Sequence, residues 1–411
     1  MWLNKSTVHV PETLVVYIAA MRIDTNLLGT VAMPDAGHDG PAATSRRYGR
    51  TAFADAYQDY LAYARTADET GFDTLWYTEH HFQHEGYEVI PNQIQLGLYS
   101  SAKTERLNFG QMFNIVPQWH PLRLAEDFAM ADILSGGRMR FGVGRGTVPR
   151  EMQTLGAMIE SGDNGMDATA EQANREVFEE AMALIRLAFA EESFSFEGKH
   201  FVAPPPGIPD RDGVVTELTL VPNVMRPVEI YQACTSPRTV DYVAEHGHVG
   251  VYTRQSFTRM KRAWEKHAEL AEAHGRILQP GQERMLVLHA HVGDTMESAM
   301  ASARATHDEL AKLLSPYGRF ATYDPPAGMD STPFDFLPTL EQSIEQGVYA
   351  VGTADDVAAT IDRYRQEIGL ELLSLSLDGP GLLREHVEEQ MHRVSSDVAP
   401  LLGVSMGASA K

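Results

Sequence analysis

Three ionisable side chains follow one another at the end of an apolar segment. The segment Asp73 to Thr78 predicts a short buried strand, and Glu79, His80 and His81 come directly after it. An imidazole titrates near neutral pH, so one of these histidines can take up or release a proton during a reaction. Because neighbouring side chains of an extended segment point to opposite faces, at most one histidine faces a site. A purely structural role for both is the alternative.

The same residues allow a metal site as a further alternative. His80 and His84 have the spacing His-x-x-x-His, which zinc sites use when it lies on a helix. Here the pattern follows a strand and Gly86 comes two residues later, so the required helical face is not indicated. Acid–base chemistry is the preferred interpretation, and no metal ligand is predicted.

A glycine-rich turn, Gly142-Val-Gly-Arg-Gly146, ends another predicted strand. Its glycines let the backbone approach a ligand closely, and Arg145 offers a guanidinium that can bind a phosphate. The dinucleotide-binding fingerprint is incomplete, because its third glycine is missing and the turn does not open the first βαβ unit. A tight turn with a surface arginine is the alternative interpretation.

These chemical groups are placed by a regular alternation of strands and helices. Eight predicted strands, each followed by a helical pattern, favour one (β/α)8 TIM barrel, in which catalytic groups lie at the C-terminal ends of the strands. Two more strands end in Met112-Phe113-Asn114 and in Cys234-Thr235-Ser236. The predicted strands are Leu14 to Ala20, Asp73 to Thr78, Leu107 to Phe113, Arg138 to Val143, Val228 to Ala233, Val249 to Tyr252, Arg284 to His291 and Leu370 to Leu377.

The whole chain, 1–411, is predicted to be a single barrel domain. Three long segments rich in Gly, Pro and Asp interrupt it as insertions or rim loops after strands 1, 4 and 7, at 26–50, 194–227 and 317–338. The first and third are candidate lids over the site. Residues 404–411 are predicted to form a flexible tail.

Composition excludes several classes of function. The formal net charge of −22 argues against nucleic acid and against an anionic membrane surface as partners. A single cysteine, Cys234, rules out an internal disulfide and any multi-thiolate metal site. With no predicted signal segment or membrane span, the chain fits the cytoplasm.

Three blocks of sequence together resemble the bacterial luciferase-like flavin-dependent monooxygenases. The resemblance extends over about residues 10 to 395 and implies a (β/α)8 barrel with reduced flavin bound at its C-terminal rim. The blocks are Gly71 to Phe82, then Leu107 to Gly146 with His120-Pro121, Glu126-Asp127 and Ser135-Gly-Gly-Arg138, and Gly352 to Val357.

The resemblance assigns roles to individual residues. By position, His80 resembles the catalytic histidine of the family, and Glu79 is expected to tune it. Arg145 resembles the arginine at the flavin phosphate. The other residues expected at the cofactor are Met112 and Phe113 against the ring, Asn114 at its edge, Asn174 as a second phosphate contact, and Gly146 and Ser236.

The resulting hypothesis is a monooxygenase that uses FMN and O2. The resemblance implies reduced FMN from a separate flavin reductase, a peroxyflavin formed with O2, and a small organic substrate. Five aromatic residues near the rim indicate an apolar or ring-bearing substrate, namely Trp76, Tyr77, Phe82, Phe113 and Trp119. A place in the core is the alternative for Trp76 and Phe82. A homodimer is expected. The alternatives are an F420-dependent hydride-transfer oxidoreductase on the same barrel and a non-catalytic supporting subunit.

Overall fold

Eight parallel strands close into a barrel, as predicted. In the computed structural model, residues 21–156, 161–162, 165–166 and 168–407 are described. Neighbouring strands pair in parallel around the ring, and pairing of the fourth strand with the fifth and of the first with the eighth completes the closure. The strands are β1 Arg22–Leu27, β2 Thr74–Tyr77, β3 Asn108–Gln111, β4 Met139–Gly144, β5 Ile230–Ala233, β6 Val249–Thr253, β7 Arg284–Val292 and β8 Leu372–Ser376.

Each strand is followed by a helix on the outside of the barrel. Local signals fix several helix ends: α1 stops at Gly71, which has a φ of 89°, and the side chain of Thr353 caps α8. The helices are α1 Arg50–Thr70, α2 Gln93–Ser101, α3 Pro121–Leu134, α4 Ala168–Ala190, α5 Pro237–His246, α6 Phe257–Ala273, α7 Met296–Leu314, α8 Ala354–Ile368 and α9 Arg384–Arg393.

Short elements fill the connections. Short helices or single helical turns are Ala43–Ser45, Val116–Gln118, Pro149–Thr154, Ser315–Tyr317, Leu340–Glu345, Val394–Val398 and Ala399–Leu401. Short strands are Asn114–Ile115, Ser161–Gly162, Gly165–Met166, Phe196–Glu197, Val202–Ala203, Pro209–Asp210, Gly213–Val214 and Tyr349–Gly352. Within the insertion 194–227, a small hairpin pairs Pro209–Asp210 with Gly213–Val214.

The prediction that 26–50 begins a loop directly at Asn26 is wrong, because β1 extends from Arg22 to Leu27. The predicted first strand, Leu14 to Ala20, lies outside the described residues. β1 was missed because it carries polar side chains. Asp24 accepts a hydrogen bond from the Trp76 indole, and Asn26 accepts hydrogen bonds from two serines of β8. These partners inside the barrel are distant in sequence, so the polar pattern of β1 resembled a loop.

A second difference concerns the segment before α8. Tyr349–Gly352 forms a buried strand that pairs with the C-terminal half of β7, and neither it nor the helix Leu340–Glu345 was predicted. β7 is nine residues long, so it reaches beyond its barrel neighbours and offers a free edge to this extra strand.

The barrel interior is filled by large side chains from several strands. Trp76, Tyr231 and Met285 are fully buried in one cluster. Gly110 makes room for the indole, since a Cβ atom there would lie 2.1 Å from the Trp76 ring. Trp76 therefore belongs to the core, and its expected place in an aromatic rim is wrong.

No helix in the described part of the chain is long and apolar enough to cross a membrane. Val404 and Met406 pack against the main core, while 408–411 lie outside the described residues.

Candidate active site

A pocket opens at the C-terminal ends of the barrel strands. Side chains from the ends of β2, β4, β5 and β6 line it together with residues of the following loops. Of the sequence-predicted site residues, the pocket brings together Glu79, His80, Met112, Phe113, Arg145 and Gly146. Asn114, Asn174 and Ser236 do not line it.

His80 lies between two carboxylates. Its Nδ1 atom is 3.1 Å from Glu151 Oε1, and its Nε2 atom is 3.2 Å from Glu88 Oε2. Both carboxylate side chains are largely buried, and Glu151 is fixed further by the Gln83 amide at 2.6 Å. Neither acid was singled out in the sequence, because they come from the loop after β2 and from the helix Pro149–Thr154.

This environment makes His80 a cation at neutral pH. Burial lowers the pKa of the imidazole, but the charges of Glu88 and Glu151 and the hydrogen bond to Glu151 outweigh burial and raise the pKa to about 9. For Glu151, burial raises the pKa of the carboxyl, and the bond to His80 overcomes this and lowers it. An imidazolium in a pocket can donate a proton or stabilise a negative charge.

The expectation that Glu79 tunes His80 is wrong. The buried Glu79 carboxylate accepts hydrogen bonds from the Gln93 amide at 3.1 Å and the Trp119 indole at 3.4 Å, and it lies 3.4 Å from His81 Nε2. His80 and His81 therefore point in different directions, and each has its own acid. The alternation of an extended chain separates them, as expected.

Arg145 also lines the pocket. Its guanidinium is 3.6 Å from the Glu171 carboxylate, which also pairs with Arg175 at 3.2 Å. The Arg145 Nη1 atom is buried and has no hydrogen-bond partner in the described structure. Burial and then the neighbouring charge of Arg175 lower the pKa of Arg145. Two guanidiniums share one carboxylate here, so an additional anion would be stabilised.

Asn174 is hydrogen-bonded to the backbone of Arg145. Its amide Nδ2 atom donates to the Arg145 carbonyl at 3.1 Å, while its Oδ1 atom is buried without a partner in the described structure. The side chain is near the phosphate-binding candidate but outside the lining of the pocket. Its contact fixes the turn that carries Arg145.

The glycines of the turn are required by close contacts. A Cβ atom at Gly142 would lie 1.7 Å from the Gln111 carbonyl, and one at Gly146 would lie 2.0 Å from Met152 Sδ. Gly146 also has a φ of 76°, which glycine adopts readily. The motif thus has a structural reason in addition to its place at the pocket.

Met112 and Phe113 are apolar residues that line the same pocket as His80. The peptide bond between them is cis. Asn114 is buried beneath, and its Nδ2 atom donates to the Gly142 carbonyl at 2.9 Å. In this structure Asn114 holds β3 against β4, and contact with a ring edge is not indicated.

Ser236 acts as a helix cap. Its hydroxyl accepts from the Thr239 backbone N–H at 3.3 Å at the start of α5. Thr235 and Thr239 line the pocket instead of Ser236. The sequence located the correct strand end but not the side chains that face the cavity.

Two arginines missed in the sequence also line the pocket. Arg254 follows β6, and Arg319 lies in the loop 317–338, where it donates a hydrogen bond to Thr147. The position of Arg319 in a predicted rim loop was the available signal. Of the five aromatic residues proposed for the rim, Phe113 lines this pocket, whereas Tyr77 is buried against Ser100 and Phe82 is half exposed.

The sequence of this chain matches one known protein family. A model of the family described as luciferase-like monooxygenase matches residues 28–371, most of the chain. The chain belongs to the luciferase-like monooxygenase family. An uncharacterised protein, y4wF of Sinorhizobium fredii, is 30% identical over 335 residues, which are 78% of this chain and 85% of that protein.

Two solved structures show the same fold as this luciferase-like protein. The oxygenating constituent of 3,6-diketocamphane monooxygenase from Pseudomonas putida, in complex with FMN, superposes with a TM-score of 0.71, 20% identity and coverage of 93% and 98% of the two chains. An F420-dependent secondary alcohol dehydrogenase superposes with a TM-score of 0.59, 14% identity and coverage of 93% and 99%. At such identities the likeness concerns the fold alone.

Family membership makes this protein an oxidoreductase. The two superposed structures contain FMN and F420, which are a flavin and a deazaflavin cofactor. The residues present suit such a group. Arg145 offers a phosphate a buried guanidinium nitrogen that has no hydrogen-bond partner in the described structure, the glycine turn allows close backbone approach, and Phe113 offers an apolar face for a ring. Within the described residues, no group of three or more His, Cys, Asp or Glu is arranged to hold a metal ion.

Proposed function

We propose that this protein is the oxygenase of a two-component system, which oxidises a small organic substrate with O2 and with reduced FMN delivered by a separate reductase. The observation that carries the proposal is that one cavity is lined both by Arg145, which can bind an anion, and by His80, which is cationic. The FMN complex of the diketocamphane oxygenating constituent supports the choice of FMN.

The residues of this chain have distinct tasks. Reduced FMN, when bound, supplies the electrons that activate O2. Arg145 and Arg175 would hold the phosphate, and the Met112–Phe113 segment would support the ring. His80, held protonated by Glu88 and Glu151, would deliver a proton from Nδ1 or Nε2 or stabilise negative charge that develops beside it.

Binding under anaerobic conditions tests this proposal. Titration of the purified protein with reduced FMN and, separately, with reduced F420 should show tight binding of FMN. Arg145→Gln should weaken FMN binding by about tenfold or more, the value of one charge-assisted contact of roughly 1.5–3 kcal/mol. Arg262→Gln, which removes an exposed arginine of α6, is the matched control and should bind like the wild type.

Admission of oxygen to the FMN complex completes the test. Rapid reoxidation of the bound flavin, followed by its absorbance, is expected. Tight binding of F420 without binding of FMN would instead support hydride transfer on the same barrel, and binding of neither would indicate a supporting subunit. His80→Ala should retain FMN binding and lose turnover.

A homodimer stays a prediction. Met130, Ile133 and Leu134 are exposed apolar residues at the end of α3, where a second copy would pack. Sedimentation equilibrium of the purified protein gives its mass in solution and decides between one and two copies.

A further inference from the structure

The pocket has two arginines in addition to Arg145. Arg254 and Arg319 both line the cavity. In the described part of the chain neither guanidinium has a carboxylate within ion-pair distance, and Arg319 donates only to the Thr147 hydroxyl. By contrast, the half-buried Arg22 and the buried Arg46 each pair with a buried acid. Two unpaired cations facing a cavity are costly unless an anion joins them.

The arrangement is fixed by the loop that carries Arg319. The Thr322 hydroxyl donates to the Arg254 carbonyl at 2.7 Å, and the Ser256 N–H donates to the Thr322 carbonyl at 3.3 Å. Arg254 has a φ of 53°, a conformation that non-glycine residues seldom adopt. These contacts fix the backbone at Arg254 to the loop that carries Arg319.

Different charges act on Arg319 and on Arg145. Burial and then the charge of Arg254 lower the pKa of Arg319 to about 10. Burial and then the charge of Arg175 lower the pKa of Arg145, and Glu171 and Glu179 act in the opposite direction. Glu88, whose charge raises the pKa of Arg319, already lies 3.2 Å from His80 Nε2. An oxyanion placed between Arg254 and Arg319 would relieve their mutual repulsion without competing with an existing ion pair.

We propose that Arg254 and Arg319 bind the anionic head of the organic substrate, a carboxylate or sulfonate, while the flavin phosphate lies at Arg145. This inference rests on the proposed function for the cofactor's position. The cavity is also lined by Phe113, Ile115 and Val287, which suit the apolar remainder of such a substrate. The substrate class is therefore an amphipathic organic anion, held close to the proton of His80.

Calorimetric titration at constant ionic strength tests the proposal with two matched pairs of probes. Benzoate is compared with benzamide, and benzenesulfonate with benzenesulfonamide. At least one anion should bind about tenfold more tightly than its neutral partner, and the better anion identifies the head group. Arg319→Gln and Arg254→Gln should each remove this preference, and Arg319→Lys should restore part of it.

Variants of the two arginine groups should show opposite losses. Arg319→Gln should lose anion binding and keep reduced FMN, whereas Arg145→Gln should lose FMN and keep the anion; Arg262→Gln should keep both. Thermal unfolding of each variant without ligand verifies that it is folded. If Arg319→Gln weakens FMN as much as Arg145→Gln does, or if neither anion exceeds its neutral partner in the wild type, the proposal is wrong. Anion binding that depends on Arg319 in a protein without FMN affinity would refute only the proposed cofactor.

Discussion

At the scale of the residue, the protonation of His80 decides what the site can do. Glu88 and Glu151 both lie within 3.2 Å of its ring nitrogens and hold a charge that an isolated imidazole would lose near neutrality. Because the folded pKa is raised from 6.5 to about 9, the charged form is fully present below 6.5 and is lost as the pH rises through 9.

Substitution of the acids should move this transition. Glu88→Gln should lower the pKa of His80 toward 6.5, and the alkaline limb of kcat/KM should move to lower pH with it. Glu79→Gln is the matched control, since its carboxylate contacts Gln93, Trp119 and His81. Proton NMR titration of the imidazole measures the pKa without reference to turnover. An equal shift in both variants would contradict the assignment.

At the scale of the element, the two candidate lids differ. The segment before α1 is clamped to α7: Arg46 Nη1 lies 2.5 Å from the buried Glu309 carboxylate, which also accepts from the Gly37 N–H at 2.9 Å. These contacts with α7 therefore hold that segment in place. The loop 317–338 contributes Arg319 to the pocket and is the better candidate for a lid.

Arg46→Ala should therefore act on stability more than on the site. Removal of one partner of a buried pair leaves an uncompensated charge, so the free energy of unfolding should fall by about 3 kcal/mol. Arg47→Ala removes the exposed neighbouring arginine and should change it by less than about 0.5 kcal/mol. Urea denaturation measures both. Loss of FMN affinity in Arg46→Ala with unchanged stability would indicate that this segment is a lid after all.

At the scale of the whole molecule, four buried histidines favour the neutral form. Burial lowers the pKa of His248, His267 and His291 to about 3, and that of His289 well below its usual value. Their contribution to stability is complete above about pH 6.5 and is lost as the pH falls from there toward 3. The buried carboxyls of β1 and of the segment after β8, Asp24 and Asp378, oppose this loss because burial raises their pKa values to about 6 and 7.

The four histidines outnumber the two aspartates, so the free energy of unfolding should fall between pH 6.5 and 4.5. Each histidine contributes up to about 1.4 kcal/mol per pH unit. His291→Gln should reduce the slope by up to that amount, whereas the exposed His392→Gln should leave it unchanged. Urea denaturation at several pH values gives the slope. A slope unaffected by His291→Gln would show that this histidine is protonated in the folded protein.

The sequence by itself determined the barrel and most of the alternation of strands and helices, and it predicted site residues at the ends of β2 to β5, which line the pocket. Apolar periodicity, caps such as Thr353 and turns such as Gly142 to Gly146 are local signals, so they can be read without the fold. The tertiary structure alone decided which acid faces His80, since Glu151 lies 71 positions away. It also revealed β1, whose polar residues have partners about 350 positions distant, and the pair Arg254 and Arg319. Contacts between distant segments depend on loop paths and side-chain directions, which local patterns do not encode.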